Sequence, residues 1–312
     1  MPMPMATTEA RTLRGVWCAT LTPLTSDGGV DHVRLVRHAR WLMAQGIDGV
    51  APFGTTGEGQ SFSTAERADG LAALIDAGIP GERVIAATGC AALTETIALT
   101  KHAVQSRCSG CLVLPPFFFR EASDEGLFAW YARLIEAVGD PRLRILLYHI
   151  PQVSGVPLSV ELVARLATAF PGVVAGVKDS AGDWTHTSAL VGRLPQLAIF
   201  VGHEPHVPRL LRAGGAGTIC GVANVYPELV LPLMSPTASA ADEERIATFI
   251  AIAFGQPFLP AFRSIVAART GDPGWLAVRP PQVALTDSAR TALLNALARA
   301  GLAVAPDAGR TR

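Results

Sequence analysis

The chain has 312 residues, 49% of them hydrophobic, with 26 basic against 26 acidic side chains, enough for one large domain or two ordinary ones. The balanced charge leaves no electrostatic footprint for nucleic acid or an anionic membrane, and no apolar run reaches the roughly 18 to 20 residues of a membrane helix. Five scattered cysteines make no disulfide framework, and the first residues lack the basic head and apolar stretch of a signal peptide, so cytoplasmic residence is expected.

After an extension over 1–14, Gly15 to Thr20 reads as a first strand, stopped by Thr22-Pro23. Asp27-Gly28-Gly29 is a turn, and 30–44 carries Val33, Val36, Leu42 and Met43 near helical spacing. A second strand, 46–53, runs into the loop Gly54-Thr55-Thr56-Gly57-Glu58-Gly59, and Ser63 to Glu66 has the spacing of a capping box. Strand-like segments follow at 83–88, 111–114, 143–148, 173–178, 197–201 and 217–220. Helical segments fall between them at 94–105, 123–138, 158–169, 183–194 and 208–213. From about Ser239 the strand signals stop; 241–253, 260–268 and 288–298 read as helices separated by Gly and Pro breakers.

Eight short apolar strands alternating with helices predict a (β/α)8 barrel with a C-terminal helical domain. The boundaries are 15–235 for the barrel, 236–304 for the helical domain and 305–312 for a frayed tail. An open doubly wound sheet would want a phosphate fingerprint after its first strand, and Leu21-Thr22-Pro23-Leu24 has no glycine.

Only two lysines occur, Lys101 and Lys178. Lys178 ends the sixth strand, where a bare charge is costly. A desolvated lysine can lose its proton and attack a carbonyl, which arginine cannot do; the alternative is an ion pair with Asp179. Barrel active sites lie at the C-terminal strand ends. Those ends offer Thr55 and Thr56, Pro116 to Arg120, Tyr148 and His149, Lys178, Gly202-His203-Glu204 and Ile219. The set is an amine, a phenol and hydroxyls without three clustered His, Asp or Glu ligands, so no metal is expected. The Gly54–Gly59 loop either holds a carboxylate or phosphate on its amides or is an ordinary turn. Cys108-Ser109-Gly110-Cys111 follows a helix and enters a strand, the wrong setting for a redox pair, and reads as core packing.

Three separated motifs carry a resemblance: Gly54-Thr55-Thr56-Gly57-Glu58, Tyr148 with Ile150-Pro151, and Gly176-Val177-Lys178-Asp179-Ser180. In that order and at those strands they resemble the dihydrodipicolinate synthase/N-acetylneuraminate lyase family. The resemblance implies a metal-free class I lyase without a separate cofactor, acting on a small-molecule 2-oxo acid, usually as a homo-oligomer, tetramer or dimer. It implies that Lys178 forms a covalent imine with the keto carbon and that Tyr148 moves protons. It further implies that Thr55 and Thr56 hold the carboxylate, Thr55 also supporting Tyr148, and that Gly54, Gly202 and Ile219 line the pocket.

Two positions depart from the synthases of that family. Phe118 stands where a relay tyrosine belongs, and Val153 where an arginine grips the second substrate's carboxylate, a pairing whose loss costs about 2 to 5 kcal/mol. The expectation is therefore an aldolase-type cleavage of a 2-keto-3-deoxy sugar acid to pyruvate and an aldehyde. Arg120, His149, Gln152, His203 and Glu204, with Val153 and Phe118, would set specificity. A dehydratase on the same imine chemistry, the 4-hydroxy-tetrahydrodipicolinate synthase itself and a non-catalytic 2-oxo acid binding barrel are the alternatives.

Overall fold

A computed structural model describes residues 13–306. The expected extension, 1–14, lies outside the described residues except for Leu13 and Arg14, and the expected tail, 305–312, except for Ala305 and Pro306. The chain runs β1 (Gly15–Cys18), α1 (His32–Ala44), β2 (Gly49–Val50), α2 (Thr64–Asp76), β3 (Ile85–Ala87), α3 (Leu93–Gln105), β4 (Gly110–Val113), α4 (Asp124–Val138) and β5 (Ile145–His149). It continues through a single turn α5 (Pro151–Ser154), α6 (Val160–Ala169), β6 (Val174–Asp179), α7 (Trp184–Arg193), β7 (Ala198–Val201), α8 (Val207–Arg212) and β8 (Gly217–Cys220). The helices start where side chains take up orphan amides. Ser63 accepts from the Glu66 amide while Glu66 accepts from the Ser63 amide, the expected capping box. Asp31, Ser123, Ser159 and Asp183 cap α1, α4, α6 and α7.

Every strand pair is parallel, in the order β2-β1-β8-β7-β6-β5-β4-β3. A parallel bridge between Val50 and Val84 brings the two end strands together and rounds the sheet into a (β/α)8 barrel. Residues alternate across its wall. Trp17, Ile85, Leu112, Leu146, Tyr148, Phe200 and Ile219 fill the inside, while Val16, Val113, Leu147, Val177 and Ile199 pack outward against the helices.

Beyond β8 the described residues make only helices: a single turn α9 (Pro227–Val230), then α10 (Ala240–Ala253), α11 (Phe258–Thr270) and α12 (Asp287–Arg299). They are tied to the loops that follow β1 and β2. Arg263 on α11 donates to Glu58 and to the Thr22 carbonyl oxygen at 2.8 Å. Arg279 donates to the carbonyls of Gly28 and Ser61 and to Glu66. No single helix among the described residues is long and apolar enough to cross a membrane.

Candidate active site

The sixth strand aims its lysine inward through a local irregularity. Tyr148 pairs with Lys178 and His149 with Asp179, but the β5–β6 register shifts between Ile145–Val174 and Leu146–Gly176, leaving Ala175 as the extra residue. One extra residue exchanges the faces of a strand from that point on. Val174 accordingly packs in the outer core and Ala175 against the inner one, yet Val177 is outward again, so Lys178 enters the barrel. A Cβ at Gly176 would stand 2.3 Å from the Ala198 carbonyl oxygen, so glycine is what lets β6 lie this close to β7.

Lys178 is 4% exposed and Tyr148 3%. The lysine Nζ sits over the Tyr148 ring, 4.3 Å from its centroid. The Tyr148 hydroxyl lies 3.2 Å from Thr55 Oγ1. An amine, a phenol and an alcohol therefore stand in a row across β6, β5 and the loop after β2. A Cβ at Gly202 would fall 2.0 Å from Ser180 Oγ and 3.3 Å from Lys178 Cε, so this glycine leaves the lysine its space.

The loop after β2 is packed on itself. A Cβ at Gly59 would stand 1.8 Å from the Phe53 carbonyl oxygen, and one at Gly57 would stand 2.6 Å from that of Thr20. Phe53 and Glu58 adopt left-handed φ values of 59° and 54°, a conformation that costs free energy and clusters at functional sites. Glu58 is held by Arg263. Among the described residues the amides of Thr55 and Thr56 donate to no protein acceptor. Two such adjacent amides beside a hydroxyl suit an anionic oxygen.

A cavity of about 330 Å³ opens at this mouth, lined by Gly54, Thr55 and Tyr148 together with Phe117, Val153 and Ser154. Lys178 is not on its wall, although its amine lies over the ring of Tyr148, which is. Leu112, Leu114, Leu259 and Gln282 also line it and were missed from the sequence. The inward parity of β4 could have given the two leucines. The other two come from the helical domain, whose folding over the mouth no local pattern announces.

Several expected contacts fall elsewhere. His149 is on the outer face of the wall, because it follows inward-facing Tyr148. Its Nδ1 accepts from the Leu158 amide at 3.0 Å and its ring stacks on His186 with centroids 4.0 Å apart. Phe118 is 75% exposed and packs edge-on against Phe119, away from the cavity. Glu204 is buried behind the strand ends, where it accepts from the Val222 amide at 3.3 Å. Burial pushes its carboxyl up, against the pull of that bond and of the Lys178 charge. Gln152 donates to the Ser180 carbonyl oxygen at 2.6 Å, and His203 packs against His206. Ile219 is fully buried in the inner layer beneath the site. Thr56 is buried beside Gly221, where a Cβ would stand 3.1 Å from its Oγ1.

Asp179 is not the partner of Lys178. It faces outward and accepts from His186 Nδ1 at 2.9 Å, Thr187 Oγ1 at 2.8 Å and the Ala181 amide at 3.0 Å. Burial opposes its charged form, but these bonds prevail and hold its carboxyl below the ordinary value. His186 Nε2 meets the Leu158 carbonyl oxygen at 2.9 Å, so both its nitrogens face acceptors. Burial works against its charge too, yet the Asp179 carboxylate raises its pKa. His149, Asp179 and His186 form a three-ligand cluster absent from the strand-end residues, since His186 lies on a helix. His186 is bonded to Asp179 and to the Leu158 carbonyl, and His149 Nδ1 to the Leu158 amide, bonds that a metal would have to displace.

An eight-stranded parallel barrel with a buried strand-end amine beside a phenol is the frame of an aldolase-type lyase. Residues 12–300 match the model of the dihydrodipicolinate synthetase family, and the chain belongs to that family. A DapA-like lyase of Chloroflexus aurantiacus, itself uncharacterized, is 42% identical over 218 residues, 69% of this chain and 72% of that protein. The crystal structure of dihydrodipicolinate synthase from Agrobacterium tumefaciens has a TM-score of 0.85 and 37% identity, covering 91% of this chain and 98% of that one. The chloride-inhibited synthase of Acinetobacter baumannii, solved in complex with pyruvate, gives 0.82 and 29%, covering 94% and 100%.

Proposed function

We propose that the chain is a Schiff-base lyase that cleaves a 4-hydroxy-2-oxo acid into pyruvate and an aldehyde, and joins them in reverse. The observation that carries this is the row of Lys178 Nζ, the Tyr148 ring and hydroxyl, and Thr55 Oγ1. Lys178 attacks the C2 carbonyl and water leaves, giving a protonated imine. The C4 hydroxyl passes its proton to Tyr148, whose own proton moves onto Thr55 and out to solvent. As that proton leaves, the C3–C4 electron pair flows into the imine and the aldehyde departs, leaving an enamine. Protonation at C3 and hydrolysis then release pyruvate and the free amine. The substrate carboxylate sits on the Thr55 and Thr56 amides. The imine is itself the electron sink, so the reaction needs neither a metal nor a separate cofactor.

The sugar-acid expectation follows from the Phe118 and Val153 departures, with Arg120, His149, Gln152, His203 and Glu204 expected to set specificity. None of those last five lines the cavity, so they give a sugar tail no support. A homo-oligomer is expected from the family resemblance. The reaction itself is tested without knowing the aldehyde. Pyruvate in D2O should exchange its methyl protons in the presence of the protein, because enamine formation is reversible. Exchange is expected to vanish in Lys178→Ala; exchange that persists there contradicts the proposal.

A further inference from the structure

We infer that the aldehyde half of the substrate carries an apolar group rather than a chain of hydroxyls. This rests on the Schiff-base reading above, which fixes where the two halves of the substrate lie. The C4 hydroxyl meets Tyr148, which lines this cavity with Thr55, so the carbon beyond C4 extends into the rest of it, while Lys178 and Thr56 stand outside its wall. That remainder is walled by Ala87, Leu112, Leu114, Phe117, Val153 and Leu259.

Most polar atoms of the wall are engaged or closed off, Glu58 Oε2 being buried without a partner and Gln60 exposed at the rim. Ser154 Oγ donates to the Ile150 or Val156 carbonyl oxygen, each at 3.1 Å, and accepts from the Val156 amide. Glu58 is held by Arg263. Gln60 Nε2 donates to the Gly89 carbonyl oxygen at 2.8 Å. Thr55 and Tyr148 are occupied by each other and by the reacting atoms. Ser61 and Gln282 remain, both partly exposed at the rim. A polyhydroxy tail buried here would leave hydroxyls without partners, and a carboxylate would meet no cation on the wall. Val153, 58% exposed, stands at the outer lip of the cavity. The volume of about 330 Å³ is at the small end of the roughly 300–1,000 Å³ typical of small-molecule sites, which suits one ring or a short alkyl chain.

The test compares aldehydes on the same enzyme. Pyruvate is supplied with benzaldehyde, with glyceraldehyde or with aspartate semialdehyde, and each cleavage is followed from the corresponding 4-hydroxy-2-oxo acid. The phenyl substrate is expected to lead in kcat/KM by about 100-fold, the scale on which an apolar pocket discriminates against added hydroxyls. Val153→Arg should lower the phenyl value at least about tenfold more than it lowers the glyceraldehyde value. Faster turnover of either polar aldehyde, or a phenyl value that Val153→Arg lowers no more than the glyceraldehyde value, overturns the inference alone. Absence of any pyruvate adduct in the wild type overturns the Schiff-base reading beneath it.

Discussion

Tyr148 and His149 are adjacent in the chain and face opposite sides of the barrel wall, which gives them separable tests. Tyr148→Phe removes the proposed proton carrier but leaves the amine in place. We expect turnover to fall about 100- to 10,000-fold while borohydride trapping of pyruvate continues; equal loss of both would show that the phenol only supports the lysine. His149 is buried and beside His186, and both lower its pKa, to about 4 from 6.5. Acidification therefore loads the unfolded chain with this proton first, and the stability it provides is lost as pH falls from about 6.5 toward 4. The loss is on the order of 2 kcal/mol, after allowing for water at the ring edge. His186 acts with the opposite sign, its contribution being lost as pH rises through its raised pKa. His149→Asn keeps an acceptor for the Leu158 amide without the titration. Urea unfolding across pH 4.5 to 6.5 should then show a shallower slope than wild type, the remainder coming from His203 and His206. An unchanged slope would contradict this assignment. His149 could have been excluded from the pocket by counting parity from Tyr148. His186 could not be found, since a helical histidine at an unremarkable position gives no local sign of the carboxylate it will meet.

At the scale of the strand, the register shift at Ala175 decides whether Lys178 faces the barrel interior or the helices. Gly176 makes the close approach to β7 possible. Gly176→Ala should cost about 1 to 3 kcal/mol through overpacking against backbone. It should also lower the rate of imine formation, since the displaced strand carries the amine with it. A variant that traps pyruvate at the wild-type rate would show that the bulge does not aim the lysine. The strand itself was legible from its apolar run and its position as the sixth of eight. The bulge was not, because both faces of a buried parallel strand are apolar and the switch of phase leaves no polar residue out of step.

For the whole molecule, the helical domain is fastened over the barrel mouth by buried charge. Arg263 and Glu58 are 1% and 2% exposed as side chains, and one pair so placed joins α11 to the loop that carries Thr55. Arg263→Met leaves the Glu58 carboxylate alone and should destabilise by about 3 to 5 kcal/mol, read from denaturant melts. Because Glu58 shares a loop with Thr55 and Thr56, KM for the 2-oxo acid should rise as well; a stability loss with unchanged KM would separate the clamp from the site. The barrel and the helices beyond it could be read from periodicity alone. Where the second body folds back could not, because the partners in that pair stand 205 residues apart in the chain.

The proposed chemistry turns on one covalent bond. The protein is incubated with saturating pyruvate and sodium borohydride, digested, and the peptides are weighed. The expected result is one pyruvate-derived addition, on the peptide carrying Lys178, absent from Lys178→Arg. An unmodified Lys178 at saturating pyruvate, or an addition located on Lys101 instead, would contradict it.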